Sequence, residues 1–153
     1  MRVLGVDFGQ RRIGLAISDG TATLARPWKT VPAGSTPAAS ARLVAAEVEA
    51  LRRADEEAAE LATIVVGVPR RLNGEDTDQT QPAREFAVAL EAATQLAVRQ
   101  QDERLTSHEA DRLLAGRERD WRKRKLKLDA AAAAVMLQDY LDQRRQPQEE
   151  HPS

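Results

Sequence analysis

Three carboxylates stand where water solvates them poorly. Asp7 closes the apolar run Val3-Leu4-Gly5-Val6 and alternates with Val3 and Gly5. Glu103 follows the strand-like stretch Leu96–Arg99 and leads through Arg104-Leu105 into Thr106, while Asp129 interrupts Leu126–Leu137, which is small and apolar on every side. A desolvated carboxylate is costly unless a cation or hydrogen-bond donors compensate it. Three or four carboxylates around two magnesium ions about 3.5 to 4 Å apart suit in-line cleavage of a phosphodiester. Taken singly, each has a plainer reading: Asp7 as a turn former, Glu103 as part of a solvated turn, Asp129 as a helix N-cap contributing about 1 kcal/mol.

The other residue types restrict the chemistry further. Cysteine is absent, and the histidines are His108 and His151 alone. Disulfides, thiolate zinc sites and thiol nucleophiles are excluded, so a bound metal would sit on oxygen, which favours magnesium or manganese. Net charge is −1, from 23 basic and 24 acidic residues, and gives no argument for a polyanionic partner. Its distribution does, because Arg117–Lys127 holds seven basic residues against two acidic ones. Within it Arg122, Lys123, Arg124 and Lys125 form a candidate phosphate clamp just before Asp129, and Trp121 offers a plane on which a base stacks with about 1 to 3 kcal/mol. A solvated helix or loop is the plain alternative. Arg11, Arg12 and Arg104, each close in sequence to a carboxylate, are further candidates for phosphate contact. Arg11 and Arg12 are also close enough to ion-pair with Asp7, whereas Asp19-Gly20 reads as a turn rather than a ligand.

The elements that must carry these residues follow from hydropathy and punctuation. With 153 residues, 42% hydrophobic and 31% charged, the chain has material for one core and one domain, over 1–145. Val3–Val6 and Ile13–Ile17 predict a hairpin around Gly9-Gln10-Arg11-Arg12, and Ala25–Val31 predicts a third strand that Pro27 confines to an edge or a bulge. Ser35 or Thr36 begins a helix running to about Ala59, with Leu43, Ala46, Val48 and Leu51 on its apolar face. Thr63–Val68 lacks polar alternation, as a strand covered on both faces does. A polar loop spans Pro69–Asp78, a helix Pro82 to about Ala93, a weak strand Leu96–Arg99, and a short helix Thr106–Ala115 with the capping box Thr106/Glu109. The last helix runs from about Leu126 to Gln143, and residues 146–153 form a disordered tail. No repeat, membrane span or signal peptide is evident, which places the expected address in the cytoplasm.

Four blocks in this order resemble the YqgF/RuvX family of RNase H-like nucleases: Gly5-Val6-Asp7-Phe8-Gly9 through Asp19, Val65-Val66-Gly67-Val68-Pro69, Asp102-Glu103-Arg104-Leu105-Thr106 with Glu109-Ala110, and Lys127-Leu128-Asp129-Ala130-Ala131-Ala132. The resemblance implies an α/β, RNase H-like fold, with a mixed five-stranded sheet (an antiparallel hairpin and third strand, then parallel strands) flanked by helices. It also implies a nuclease using Mg2+ or Mn2+, two ions in all, with Asp7, Glu103 and Asp129 as catalytic and metal-binding carboxylates. Bacterial members are described as maturing the precursor of small-subunit ribosomal RNA and were first proposed as Holliday-junction resolvases. Where relatives often carry Met-Asp-Gly after the Gly-x-Pro loop, this chain has Arg70-Arg71-Leu72-Asn73-Gly74, which adds two cations to the candidate nucleic-acid contacts.

The expected partner is structured RNA, or branched DNA in the rival reading, with the protein a monomer or a homodimer and no membrane involved. Resolving a four-way junction requires two sites on a symmetric dimer. A non-catalytic RNA-binding assembly factor is a rival of another class, weakened because three acidic groups facing a polyanion need cations between them. The hairpin around Asp7, Gly9 and Gly14 also looks like the phosphate-binding hairpin of sugar kinases and actin-like ATPases, but those need two such domains and this chain has room for one.

Overall fold

The computed structural model describes residues 1–54, 61–71, 73–102 and 121–145, with side chains of 121–128 and 145 excepted. The opening apolar run forms β1 (Arg2–Phe8), and the chain reverses into β2 (Arg12–Ser18) and again into β3 (Ala25–Pro32). Then come α1 (Pro37–Ala54), β4 (Leu61–Val68), α2 (Thr80–Thr94), β5 (Ala97–Asp102) and α3 (Trp121–Arg145). The five strands lie in the order β3-β2-β1-β4-β5. Those of the hairpin and β3 pair antiparallel, while β4 pairs parallel with β1 and with β5. This is the mixed sheet expected from the sequence, with the β-branched strand β4 inside it.

Alternation along β1 divides the interior in two. Leu4, Val6 and Phe8 face a core shared with Val44 and Val48 of α1 and with Ala83, Phe86 and Leu90 of α2. Val3 on the opposite face joins Ala16, Val65 and the α3 residues Ala133, Met136, Leu137 and Leu141. Each large side chain so buried stabilises the fold by about 1.5 to 3 kcal/mol. The α3 face is lined with small residues, Gly5, Gly14 and Ala16 on the sheet and Ala130, Ala133 and Ala134 on the helix, so helix and sheet backbones approach closely.

Several expected boundaries move. The Thr36 Oγ1 caps α1 by accepting from the Ala39 N–H at 3.0 Å, with Pro37 at the first helical position. Its buried stripe is Ser40, Ala41, Val44 and Val48, whereas Leu43 is 44% exposed and Ala46 is also exposed, because the helix turns its i, i+3, i+7 row from Ala41 toward the sheet. β3 is an edge strand, and Trp28 is its extra residue, since Leu15 pairs with Lys29 and Ala16 with Pro27. β5 extends to Asp102 despite its polar residues, because an edge strand needs only backbone pairing with β4 and tolerates exposed side chains. α3 begins at Trp121 rather than Leu126, its first turns being built from the basic segment. The expected end of α1 at Ala59, the helix Thr106–Ala115 and the tail lie outside the described residues.

Candidate active site

Asp7 is the penultimate residue of β1, half-buried, and lies directly between Gly14 of β2 and Gly67 of β4. Neither neighbour has a side chain to crowd the carboxylate. Gly67 in turn pairs with Gln101, so β5 ends alongside the Asp7 row. The next residue, Phe8, points to the opposite face and stacks on Phe86 at 4.6 Å between centroids and 18° between planes. Such a ring pair adds about 0.5 to 1.5 kcal/mol beyond burial and fixes the strand end from which Asp7 projects.

Asp129 reaches the same place from α3. A Cβ built on Gly14 would lie 2.0 Å from the Asp129 carbonyl oxygen, so the helix backbone rests on the Gly14 Cα. Gly14 faces Asp7 across the hairpin, where paired Cα atoms are about 5 Å apart, so Asp7 and Asp129 converge although distant in sequence. The N-cap reading of Asp129 is overturned, because the helix starts two turns earlier at Trp121. Below it on one helix face Ala133 and Met136 are buried and Tyr140 is half-buried, as helical spacing predicts.

The Asp129 carboxylate accepts from the Arg12 Nε–H at 2.8 Å, the two side chains being 28% and 29% exposed. Proximity in sequence points Arg12 at Asp7; its hydrogen bond spans 117 positions to Asp129. Gln138, which sequence reasoning passes over, locks α3 in register. Its Oε1 accepts from the Ala25 N–H at 2.8 Å, and its Nε2 donates to the Thr23 carbonyl at 2.9 Å. A lone glutamine on a long helix carries no signal of such a role.

The remaining candidates divide by place. Arg70 and Arg71 follow β4 in a small hairpin, in which Arg70 bridges Asp76, the Arg71 N–H donates to the Glu75 carbonyl at 2.9 Å, and Gly74 turns at φ 88°. Thr80 Oγ1 donates to the Pro69 carbonyl at 2.6 Å and Arg84 pairs with Asp76 at 3.0 Å, fastening that hairpin to α2. Arg11 is exposed, its carbonyl accepting from the Ala33 N–H at 2.9 Å. Arg122, Lys123, Arg124 and Lys125 lie on the first turns of α3, while Glu103 and Arg104 lie outside the described residues. Asp19 is a turn residue as expected: the Thr21 hydroxyl, then the Thr23 and Leu24 amides, donate to it and hold its carboxyl down to about 2.

Asp7 and Asp129 are hard oxygen donors brought together at one sheet end, and that donor chemistry fits part of the shell of Mg2+ or Mn2+. Among the described residues no group of three or more acidic or histidine side chains is assembled for a metal.

The RuvX family model, described as Holliday junction resolvase, matches residues 1–143. A protein of Koribacter versatilis named "Putative pre-16S rRNA nuclease" is 40% identical over 149 residues, covering 97% of this chain and 92% of that protein. Its namesake in Chloroflexus aggregans is 39% identical over 146 residues, covering 95% and 96%. Among solved structures, Thermus thermophilus RuvC in complex with a Holliday junction substrate superposes with a TM-score of 0.55 at 17% identity, over 94% of this chain and 95% of that one. Fowlpox virus resolvase with junction DNA gives 0.55 at 13% identity, over 95% and 99%. These two likenesses show a shared RNase H-like fold, and the family match over nearly the whole length, with relatives near 40% identity, shows that the chain belongs to the RuvX family.

Proposed function

We propose that this protein is a nuclease that hydrolyses phosphodiester bonds in structured nucleic acid with the help of divalent metal ions, and that its role is the processing of pre-16S rRNA. The observation that carries this reading is the convergence of Asp7 and Asp129, brought about by the Asp129 backbone resting on Gly14. Two carboxylates at the open end of a sheet have no advantage to a protein that only binds a polyanion; with dications between them they become a phosphate-binding device. The names of the relatives support the choice of ribosomal precursor RNA.

In this reading Asp7, Asp129 and Glu103 hold Mg2+ or Mn2+, which when bound polarises the scissile phosphate and supplies a nucleophilic water. The chain itself does the positioning. β1 and the Phe8–Phe86 stack fix Asp7, and Gly14 and Gln138 fix Asp129 through α3. Arg70, Arg71 and Arg11 near the strand ends, Arg104 beside Glu103, and Arg122, Lys123, Arg124 and Lys125 on α3 would bind backbone phosphates.

The test is incubation of the purified protein with ribosomal precursor RNA, with and without Mn2+. Cleavage should require the metal, and Asp7→Asn should abolish it while leaving the circular dichroism spectrum unchanged. Turnover retained by that variant, or independent of metal, rejects the mechanism. Four-way junction DNA is the second substrate to test. The family description and the junction-bound structures of similar fold favour it, and it calls for a dimeric protein on the substrate.

A further inference from the structure

Arg12 lies on the same face of β2 as Gly14, two residues away, and Gly14 is where the Asp129 backbone rests. The Asp129 side chain thus comes alongside Arg12, and the 2.8 Å bond from Nε follows from the packing. With 29% and 28% of the two side chains exposed, the pair adds little to stability. Its effect on the chemistry of Asp129 is larger. A dication approaching that carboxylate meets a fixed positive charge within hydrogen-bond length of its own ligand, and an arginine cannot remove that charge by losing a proton.

We propose that Arg12 is a positioning residue that competes with metal for Asp129. It holds the carboxylate aligned while no dication is bound and releases it when one enters. Firm metal loading therefore waits for the phosphates of the substrate, whose negative charge draws the guanidinium away. This rests on the reading of Asp129 as an ion ligand. No bond to carbon, proton or electron is transferred in the exchange; one cation replaces another at the same oxygen.

Calorimetric titration of the whole protein with Mn2+, without nucleic acid, tests the exchange. Arg12→Gln should bind Mn2+ about tenfold more tightly than the wild type, the order expected when one nearby positive charge is removed. Arg12→Lys, which keeps the charge, should stay within about twofold of the wild type. In an Asp129→Asn background the gain from Arg12→Gln should disappear. Equal affinity in wild type and Arg12→Gln overturns the role of Arg12 and leaves the ion site standing, as does a gain that persists without Asp129. Absence of Mn2+ binding in every variant overturns the ion reading and this inference together. Should Arg12→Gln fail to fold, the wild type alone decides the matter: an RNA oligonucleotide should tighten Mn2+ binding to the protein, beyond what the oligonucleotide binds by itself, and unchanged affinity overturns the proposal.

Discussion

Replacing Gly14 by alanine would place a methyl carbon 2.0 Å from the Asp129 carbonyl oxygen, a separation that real Cβ atoms do not show. The obstacle is backbone, so α3 must lift from the sheet. Overpacking of this kind costs about 1 to 3 kcal/mol, readable by urea unfolding. On the role proposed for Asp129, a displacement of about 1 Å costs roughly a hundredfold in rate, so cleavage at equal folded fraction should fall as far. Full stability together with full turnover in Gly14→Ala would show that the close packing does not set the gap between the carboxylates. As candidates Asp7 and Asp129 are legible in the sequence because each ends or interrupts an apolar run, which makes a charge conspicuous. The partner of Arg12 and the clamp of Gln138 are not, since both depend on how a distant helix lies across the sheet.

Turns and helix ends show how local signals fare. Asp19 organises the β2–β3 turn, and its donors hold the folded-state carboxyl at about 2, below the unfolded value of about 3.9. A depressed folded value contributes stability above the unfolded pKa and loses it as pH falls through the folded one. The melting temperature of the wild type should therefore exceed that of Asp19→Asn at neutral pH, and the difference should shrink between about pH 4 and pH 2. A difference that stays constant over that range would detach the turn from the ionised carboxylate. The Asp19 turn, the Thr36 cap and the proline-marked edge strand were readable because each is settled by a few neighbouring residues. The sequence pattern puts the start of α3 too late, because Arg122 to Lys125 read as a charge run, although arginine and lysine are good helix formers. It ends β5 too early for a related reason: the pairing partner of β5, not its own polar side chains, makes it a strand.

Across the whole molecule positive and negative charges nearly cancel, so attraction to a polyanion must come from where the cations sit. α3 carries Arg122, Lys123 and Arg124 on the same rod as Asp129, about 10 Å up the axis at 1.5 Å per residue. Neutralising all three should weaken nucleic-acid binding and flatten the slope of log affinity against log salt by about two to three, measured by fluorescence anisotropy. An unchanged slope would show that those side chains touch no phosphate. The fold class is legible at two levels: hydropathy and the glycine-marked hairpin point to a mixed sheet with helices, and the RNase H-like arrangement is what the resemblance of the four sequence blocks implies.

The outer margin of β3 has a bearing on assembly. Pro27 and Pro32 offer no amide hydrogens, and the extra residue Trp28 bends the strand, so a second chain finds no regular template there. Two copies straddling a symmetric substrate would gain nothing from joining strands there, so this margin acts as a barrier to fusing two sheets.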